Sequence, residues 1–252
     1  MPIGLNVEAA TGDRPQVRAD VRRELGVPPD APLVVFFGFL HPEKALDRLI
    51  TAVAAITAHR PGVQLLLIGG AESHSVPGAA ALRLRGELER VAAACGVQDQ
   101  VHLTGYLPGA EVSRLLQAAD VAAFPLNDGV TRKSSSLLAA FAAGVPVVAT
   151  APPGVVRGPT EADALLRVPP RDTSALSDAL ERVLGDRVLA DRLATAGRAV
   201  AARQGWDAIA AVHAEVYAQV LALRRGGRSW TRAAQPGRVG PSTVGGDADV
   251  TA

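Results

Sequence analysis

Hydrophobic positions along the chain fall into two alternating patterns, short continuous apolar runs and longer segments with helical spacing. The runs are predicted strands at residues 33–37, 63–68, 101–103, 121–124, 145–149 and, more weakly, 164–168. Consecutive apolar positions, instead of every second one, indicate strands buried on both faces. The predicted helices are 42–53, 80–95, 112–119, 134–143, 174–184, 187–202 and 206–223, the first opening at Pro42. The alternation predicts an α/β fold, a single doubly wound, Rossmann-like parallel sheet of about six strands with helices on both faces.

The two ends of the chain differ from this pattern. Residues 226–252 contain no Leu, Ile, Phe or Met. Such a segment buries too little apolar surface to offset its ordering entropy, so we expect a disordered tail. Residues 1–30 are polar and linker-like, with one short helical candidate at 17–25. One domain is therefore expected over residues 31–225.

Composition excludes several classes of function. The 26 Lys and Arg against 25 Asp and Glu give a net charge of +1, which offers no clustered basic excess for nucleic acid. The single Cys excludes an internal disulfide or a multi-Cys zinc site, and the five His show no metal-ligand spacing. The first residues lack the regions of a secretory signal, and no apolar run approaches the ~18 residues of a membrane span. These features predict a soluble, cytoplasmic protein without a nucleic-acid partner.

Three loops should meet at the carboxyl edge of the predicted sheet, where ligands bind in such folds. They cover residues 38–44, 105–109 and 126–136. In the first, Gly38 permits close backbone approach, and Lys44 can reach an anion at the following helix. The alternative is a turn glycine and a solvated lysine. Neither a GxxxxGK[ST] nor a GxGxxG pattern follows a predicted strand.

The third loop combines cations with hydroxyls. Arg132 and Lys133 precede Ser134, Ser135 and Ser136, which lead directly into an apolar helix. Free N–H groups at a helix start, the positive end of its dipole and serine hydroxyls suit a phosphate. Arginine adds a bidentate fork. The alternative is an ordinary serine cap with surface charges.

Four segments carry a resemblance to a known family: residues 37–46, 65–70, 105–107 and 140–150. In this order and spacing they resemble the C-terminal, donor-binding half of retaining glycosyltransferases of the GT-B fold, the large family 4 group. The resemblance covers about residues 2–223. It implies an NDP-sugar donor, transfer with retention of anomeric configuration, and no requirement for a metal or other cofactor.

The resemblance also implies roles for individual residues. Lys44 would contact the donor diphosphate, the amides of Ser135, Ser136 and Leu137 would cradle phosphate, and the backbone of Tyr106 and Leu107 would border the base. The complete predicted site is Lys44, Arg132, Lys133, Ser135, Ser136 and Leu137 for the diphosphate, Gly38, Tyr106 and Leu107 for the base, and Asp128 and Gly129 for the sugar. No catalytic residue is assigned.

Three positions depart from the family pattern. Phe39 stands where the family commonly has arginine, and the two glutamates of its Glu-x7-Glu motif fall on Thr131 and Ala139. Neither replacement can accept hydrogen bonds from sugar or ribose hydroxyls as a carboxylate does. The segment from Asp128 to Lys133 resembles a variant branch that would use Asp128 and the neighbouring cations instead.

A GT-B enzyme also needs an N-terminal acceptor domain, and residues 1–6 resemble the end of the linker that leaves it. The chain is therefore expected to be the second half of such an enzyme, truncated or partnered by a separate N-terminal-half subunit. Peripheral membrane association through the acceptor stays open. Two alternatives stand beside this hypothesis: a non-catalytic partner module, and an α/β nucleotide enzyme such as a sugar-nucleotide epimerase. The absence of paired acids in the loops counts against the epimerase.

Overall fold

The computed structural model describes residues 4–7, 12–70, 78–131, 134–151 and 164–225. The predicted disordered tail lies outside these residues. The chain divides into two compact units, Met1–Ala210 and Ala211–Ala252. The first unit contains the sheet. In the second, the described residues continue the last helix and expose Val212, Tyr217 and Leu221.

Six parallel strands form one sheet, which confirms the predicted fold class. They are β1 (Leu33–Phe37), β2 (Gln64–Ile68), β3 (Val101–Gly105), β4 (Val121–Phe124), β5 (Val147–Thr150) and β6 (Leu166–Val168). Their order is β3-β2-β1-β4-β5-β6. The chain reverses its direction of winding between β1 and β4, and ligands bind at this switch point in open α/β sheets.

Helices cover both faces of this sheet. They are α1 (Arg14–Glu24), α2 (Leu46–Thr57), α3 (Gly78–Ala94), α4 (Gly109–Ala118), α5 (Ser135–Ala142), α6 (Thr173–Gly185), α7 (Arg187–Ala201) and α8 (Trp206–Arg225). Helix α2 packs against α3 and α6, while α1 packs on α4 and α7 on α5. Among the described helices, none has both the length and the apolarity to cross a bilayer.

The strands are buried because helices cover them on both sides. Every residue of β2, β4 and β5 is buried, as are the first four residues of β1. Phe36 of β1 and Phe124 of β4 pack against each other beneath the switch point, with ring centroids 5.9 Å apart and ring planes tilted by 57°. Burial of such a side chain stabilises the fold by about 1.5–3 kcal/mol. The core therefore holds β1 and β4 firmly side by side.

The prediction that a helix opens at Pro42 is wrong. Pro42–Lys44 form a single 3-10 turn, and α2 begins only at Leu46. The Ala45 N–H donates to the Pro42 carbonyl, and Ala45 then adopts a left-handed conformation with φ +50°. A left-handed residue cannot continue an α-helix. Lys44 therefore lies on a turn ahead of the helix.

The first thirty residues contribute more to the domain than a linker would. Helix α1 lies within this segment, and its Val21 and Arg22 are almost completely buried. The structure places residues 14–24 with the packed domain. At the other boundaries, β5 begins at Val147 instead of residue 145, since Pro146 has no N–H to donate to a sheet ladder.

Candidate functional site

A cavity of about 720 Å³ lies at the carboxyl ends of β1 to β4. The loops that follow these four strands line it, together with Asn6 and Val7 from the N-terminal segment. Its size falls within the ~300–1,000 Å³ of small-molecule sites. The cavity thus occupies the switch point of the sheet.

Glycines at the ends of β1 and β2 allow the first two loops to approach each other closely. The Gly38 N–H donates to the Ile68 carbonyl at 3.0 Å. A Cβ atom placed on Gly69 would lie only 2.1 Å from the Gly38 carbonyl oxygen. A Cβ on Gly38 would lie 3.7 Å from Ser136 Oγ, so the end of β1 also borders the start of α5. These glycines bring three elements of the site together.

Lys44 supplies an uncompensated positive charge to the cavity. It lines the cavity and is half-buried, and its ammonium forms no hydrogen bond or ion pair within the described part of the chain. The neighbouring Glu43 lies near His41 instead, with Oε2 3.9 Å from His41 Nδ1. An anion in the cavity could therefore bind Lys44 without displacing a carboxylate.

The start of α5 presents backbone donors to the same cavity. The Ser134 hydroxyl accepts from the Thr131 N–H at 3.1 Å and does not cap the helix. As a result, the N–H groups of Ser135, Ser136 and Leu137 have no acceptor among the described residues. By contrast, α6 and α7 are capped by the carboxylates of Asp172 and Asp186. Free first-turn donors and the helix dipole make the start of α5 suitable for an anion.

The loop between β4 and α5 is anchored to the end of β5. Thr150 Oγ1 donates to the Leu126 carbonyl at 2.6 Å, and the Val130 N–H donates to the Thr150 carbonyl at 2.9 Å. Between these anchors, Asp128 is exposed and Gly129 is buried with φ +78°. Both line the cavity, and the Asp128 carboxylate has no described partner.

Apolar and aromatic side chains also line the cavity. Tyr106 and Leu107 line it at the end of β3, where the Tyr106 side chain is 83% exposed. Phe39, at the end of β1, also lines it with 46% of its surface exposed. The cavity lining therefore combines the Lys44 ammonium and the start of α5 with exposed aromatic side chains at the ends of β1 and β3.

Most of the predicted site residues meet in this cavity. The lining includes Gly38, Lys44, Tyr106, Leu107, Asp128, Gly129, Ser135 and Ser136. Leu137 is not part of the lining and is only 9% exposed, so what it offers the site is its backbone N–H in the first turn of α5. Arg132 and Lys133 lie outside the described residues. Thr131 lines the cavity, whereas Ala139 is 2% exposed and does not.

The structure adds residues that the sequence reasoning missed. Gly69 and Gly70 line the cavity, and their position directly after β2 is a signal that could have identified them. Asn6 and Val7 carry no comparable local signal. Their segment is held by contacts with distant residues, the Leu5 N–H donating to the Gln204 carbonyl and Gly4 packing on the Trp206 ring.

Within the residues that the structure describes, no group of three or more His, Cys, Asp and Glu side chains could hold a metal ion. Among the described residues, the positive charge that an anion in the cavity would meet comes from the Lys44 ammonium and the dipole at the start of α5.

The part of the chain that forms this cavity is similar to a known protein family. Residues 31–186 match the model of the glycosyl transferases group 1 family. The chain belongs to this family. The match includes β1 to β6 and the loops that form the cavity, and the fold is of the GT-B-like, Rossmann type.

Individual relatives agree with this membership. The chain is 33% identical over 229 residues to a D-inositol 3-phosphate glycosyltransferase of Xylanimonas cellulosilytica, covering 89% of this chain and 52% of the relative. It is 30% identical over 213 residues to a GDP-mannose-dependent monoacylated alpha-(1-6)-phosphatidylinositol monomannoside mannosyltransferase of Corynebacterium glutamicum, covering 82% and 52%. The chain thus spans about half the length of the curated relatives it matches.

A solved structure is also similar to this chain over about half of its own length. The sucrose-phosphate synthase of Thermosynechococcus elongatus superposes with a TM-score of 0.70 at 29% identity, covering 88% of this chain and 52% of that one. The group 1 glycosyltransferase chain thus corresponds to about half of this structure as well.

Proposed function

We propose that this glycosyltransferase chain binds an NDP-sugar and is the C-terminal, donor-binding half of a retaining, family 4-type enzyme. The observation that carries the proposal is the convergence of the unpaired Lys44 ammonium and the uncapped start of α5 on one cavity at the switch point. Anions bind at such helix starts because backbone donors and the dipole act together. A diphosphate supplies the matching negative charge.

The diphosphate lies between Lys44 and the amides of Ser135, Ser136 and Leu137 in the proposed complex. A charge-assisted hydrogen bond contributes about 1.5–3 kcal/mol, and a helix start adds about 0.3–1 kcal/mol. Arg132 and Lys133, which precede the serines in sequence, contribute further cations. With these charges the site binds phosphate without a metal ion.

The base and the sugar take opposite ends of the cavity. The base lies against the backbone near Gly38, Tyr106 and Leu107, on the aromatic side. The sugar lies near Asp128 and Gly129, since a carboxylate with no described partner can accept hydrogen bonds from sugar hydroxyls. This assignment gives Asp128 the task that Thr131 and Ala139 cannot perform.

The reaction needs a second half that carries the acceptor. The bond between the sugar C1 and the diphosphate oxygen breaks, and the NDP leaves with its electron pair. The acceptor oxygen bonds to C1 on the same face and its hydroxyl proton is released. The similarity to the GDP-mannose-dependent mannosyltransferase of Corynebacterium supports a nucleotide-sugar donor. We propose a cytoplasmic location, where an N-terminal-half subunit or domain completes the active site.

Calorimetric titration of the 252-residue chain with UDP, GDP and ADP tests donor binding. We expect saturable binding of at least one nucleotide. Lys44→Met should weaken it about tenfold or more, because a charge-assisted contact to phosphate is lost. Arg85→Met is the matched control, since Arg85 is an exposed cation on α3 paired with Glu89. Absence of binding by all three nucleotides, or an unchanged affinity in Lys44→Met, would refute the proposal.

A second candidate is a partner module that binds nucleotides without taking part in transfer. It is favoured by Thr131 and Ala139, neither of which can act as a carboxylate. Titration with UDP-glucose and GDP-mannose distinguishes the two. A donor site binds one sugar nucleotide more tightly than its parent diphosphate, and Asp128→Asn removes the difference. Equal affinities for sugar nucleotide and diphosphate would favour the partner module.

A further inference from the structure

A polar contact behind the cavity joins the two loops that carry the proposed diphosphate ligands. Arg48, in the first turn of α2, donates from Nη1 to Asn127 Oδ1 at 2.6 Å. Asn127 lies in the loop between β4 and α5, seventy-nine positions further along the chain. Neither residue lines the cavity. The contact therefore connects the two loops without occupying the site.

Asn127 holds the turn that carries Lys44 through two further hydrogen bonds. Its backbone N–H donates to the Glu43 carbonyl at 3.0 Å, and its Nδ2 lies 3.5 Å from the Pro42 carbonyl. Arg48 is a donor only, so the Asn127 atom facing it is the oxygen and the amide nitrogen faces Pro42. Both sides of the side chain agree on this orientation. Asn127 thus contacts the two residues that precede Lys44.

The turn needs this support because its own conformation is strained. Ala45 follows Lys44 with φ +50° and is 1% exposed. A left-handed alanine costs about 1–2 kcal/mol and persists only when its surroundings fix it. The Arg48 contact lies on the far side of this residue and the Asn127 contacts on the near side. Together they enclose the strained position.

We propose that Asn127, oriented by Arg48, is a positioning residue that sets the separation between the Lys44 ammonium and the free amides of α5. This inference rests on the proposed function, since it concerns the same diphosphate. Asn127 lies between β4 and α5 and binds the turn that carries Lys44, so a shift of Asn127 moves Lys44 relative to the start of α5. Displacements of about 1 Å already weaken recognition by fixed donors.

The test measures affinity for UDP and GDP in Asn127→Ala, Arg48→Ala and the double variant. Each single variant should weaken the preferred nucleotide about tenfold, comparable to one lost charge-assisted hydrogen bond. The double variant should lose no more than the weaker-binding single variant, because both act through one contact. Arg85→Ala is the matched control and should bind as the wild-type chain does, since it removes a paired cation remote from the cavity.

A second measurement separates positioning from a general effect on the fold. In a Lys44→Met background, Asn127→Ala should cause no further loss of affinity. An equal loss in both backgrounds would overturn the inference, as would wild-type affinity in both single variants. If Asn127→Ala fails to fold, Arg48→Gln tests the same contact with Asn127 intact. Absence of binding by the wild-type chain would instead overturn the proposed function and, with it, this inference.

Discussion

The two ends of the sheet use positive charge in opposite ways. At the amino ends of β1 and β4, Arg14, Arg18 and Arg22 extend from one face of α1, and all three are bound to protein oxygens. At the carboxyl ends of the same strands, Lys44 has no protein partner among the described residues. At the amino end the cations therefore stabilise the fold, and at the carboxyl end Lys44 is available to a ligand.

Asp120 is the centre of the amino-end network. Its two oxygens accept from Arg18 at 2.6 Å and from Arg22 at 2.7 Å, and one of them also accepts from the Leu33 N–H at 2.8 Å. Arg22 is 1% exposed and also donates to the carbonyls of Ala31 and Ala118. Burial lowers the pKa of Arg22, and the Asp120 carboxylate opposes that shift. This network fastens α1 and α4 to the sheet.

The comparison shows that residue type alone does not mark a functional cation. A buried charge is tolerated when hydrogen bonds and a counter-ion compensate it, and then it serves the structure. An uncompensated charge beside a cavity, with free backbone donors opposite, serves a ligand. Changes at the amino end should therefore affect stability, and changes at the carboxyl end should affect binding.

The largest effect is expected at the amino end. Asp120→Ala leaves Arg22 buried without its carboxylate and the Leu33 N–H without its acceptor. We expect the free energy of unfolding to fall by about 3–5 kcal/mol, as for other broken buried pairs. Urea denaturation measures it. Glu89→Ala, which breaks the exposed pair with Arg85, should cost about 0.5 kcal/mol or less. A similar small cost for Asp120→Ala would contradict the structural role of the network.

Gly69→Ala should combine both kinds of effect. The new Cβ would meet the Gly38 carbonyl, and φ +140° is unfavourable for alanine. We expect a loss of about 2 kcal/mol in unfolding free energy, and weaker nucleotide binding because the two loops separate. Gly96→Ala is the control, since its φ is +71° with nothing within 4 Å. It should cost about 1 kcal/mol and leave nucleotide affinity unchanged. Equal affinities in both variants would argue against a ligand role for the Gly38–Gly69 approach.

A new helix cap at α5 should raise the stability of the fold while lowering its affinity for nucleotides. Ser134→Asp gives α5 the carboxylate cap that α7 has from Asp186. Stability should rise by up to about 1 kcal/mol, while affinity for UDP or GDP falls because the new charge competes for the same donors. Asp186→Ala should lower stability by about 1 kcal/mol with no change in affinity. Thermal unfolding and titration of both variants measure this. Unaltered affinity in Ser134→Asp would show that the α5 donors do not bind the diphosphate.

The smallest effect concerns pH. His102 of β3 donates from Nε2 to Gln64 Oε1 of β2 at 2.8 Å, and burial lowers its pKa. Because the unfolded chain then binds the proton more readily, stability should fall as the pH drops below the ordinary histidine value of about 6.5. His102→Gln should reduce this pH dependence, whereas His59→Gln, at an exposed position, should not. Urea denaturation between pH 7 and pH 5 measures the slopes, and equal slopes in the two variants would contradict the prediction.

Local sequence patterns predicted most of the fold and part of the site. Apolar runs predicted the six strands. The four central strands β1, β2, β4 and β5 are buried as such runs indicate, whereas β3, with His102 and Thr104, and β6, with Arg167, are only partly buried. Strand-end glycines and the serine run at α5 pointed to the cavity loops correctly. The start of α2 could not be predicted, since Pro42 suits a helix start, whereas the turn before the left-handed Ala45 is bound by Asn127, which lies far away in sequence. The packing of α1 was missed for a similar reason. Its arginines have helical spacing, but many of their acceptors lie about a hundred positions away, at the end of α4 and just after it.

The sequence by itself determined the α/β class, the number of strands and the residue types at each strand end. These are properties of short segments, and burial and turn chemistry act over a few residues. Only the tertiary structure decided which charges are compensated. Arg22 and Lys44 are both cations near helix ends in the sequence, and the strand order places Asp120 beside the first and an open cavity beside the second. Whether a charge is bound by the protein or left for a ligand depends on neighbours distant in sequence.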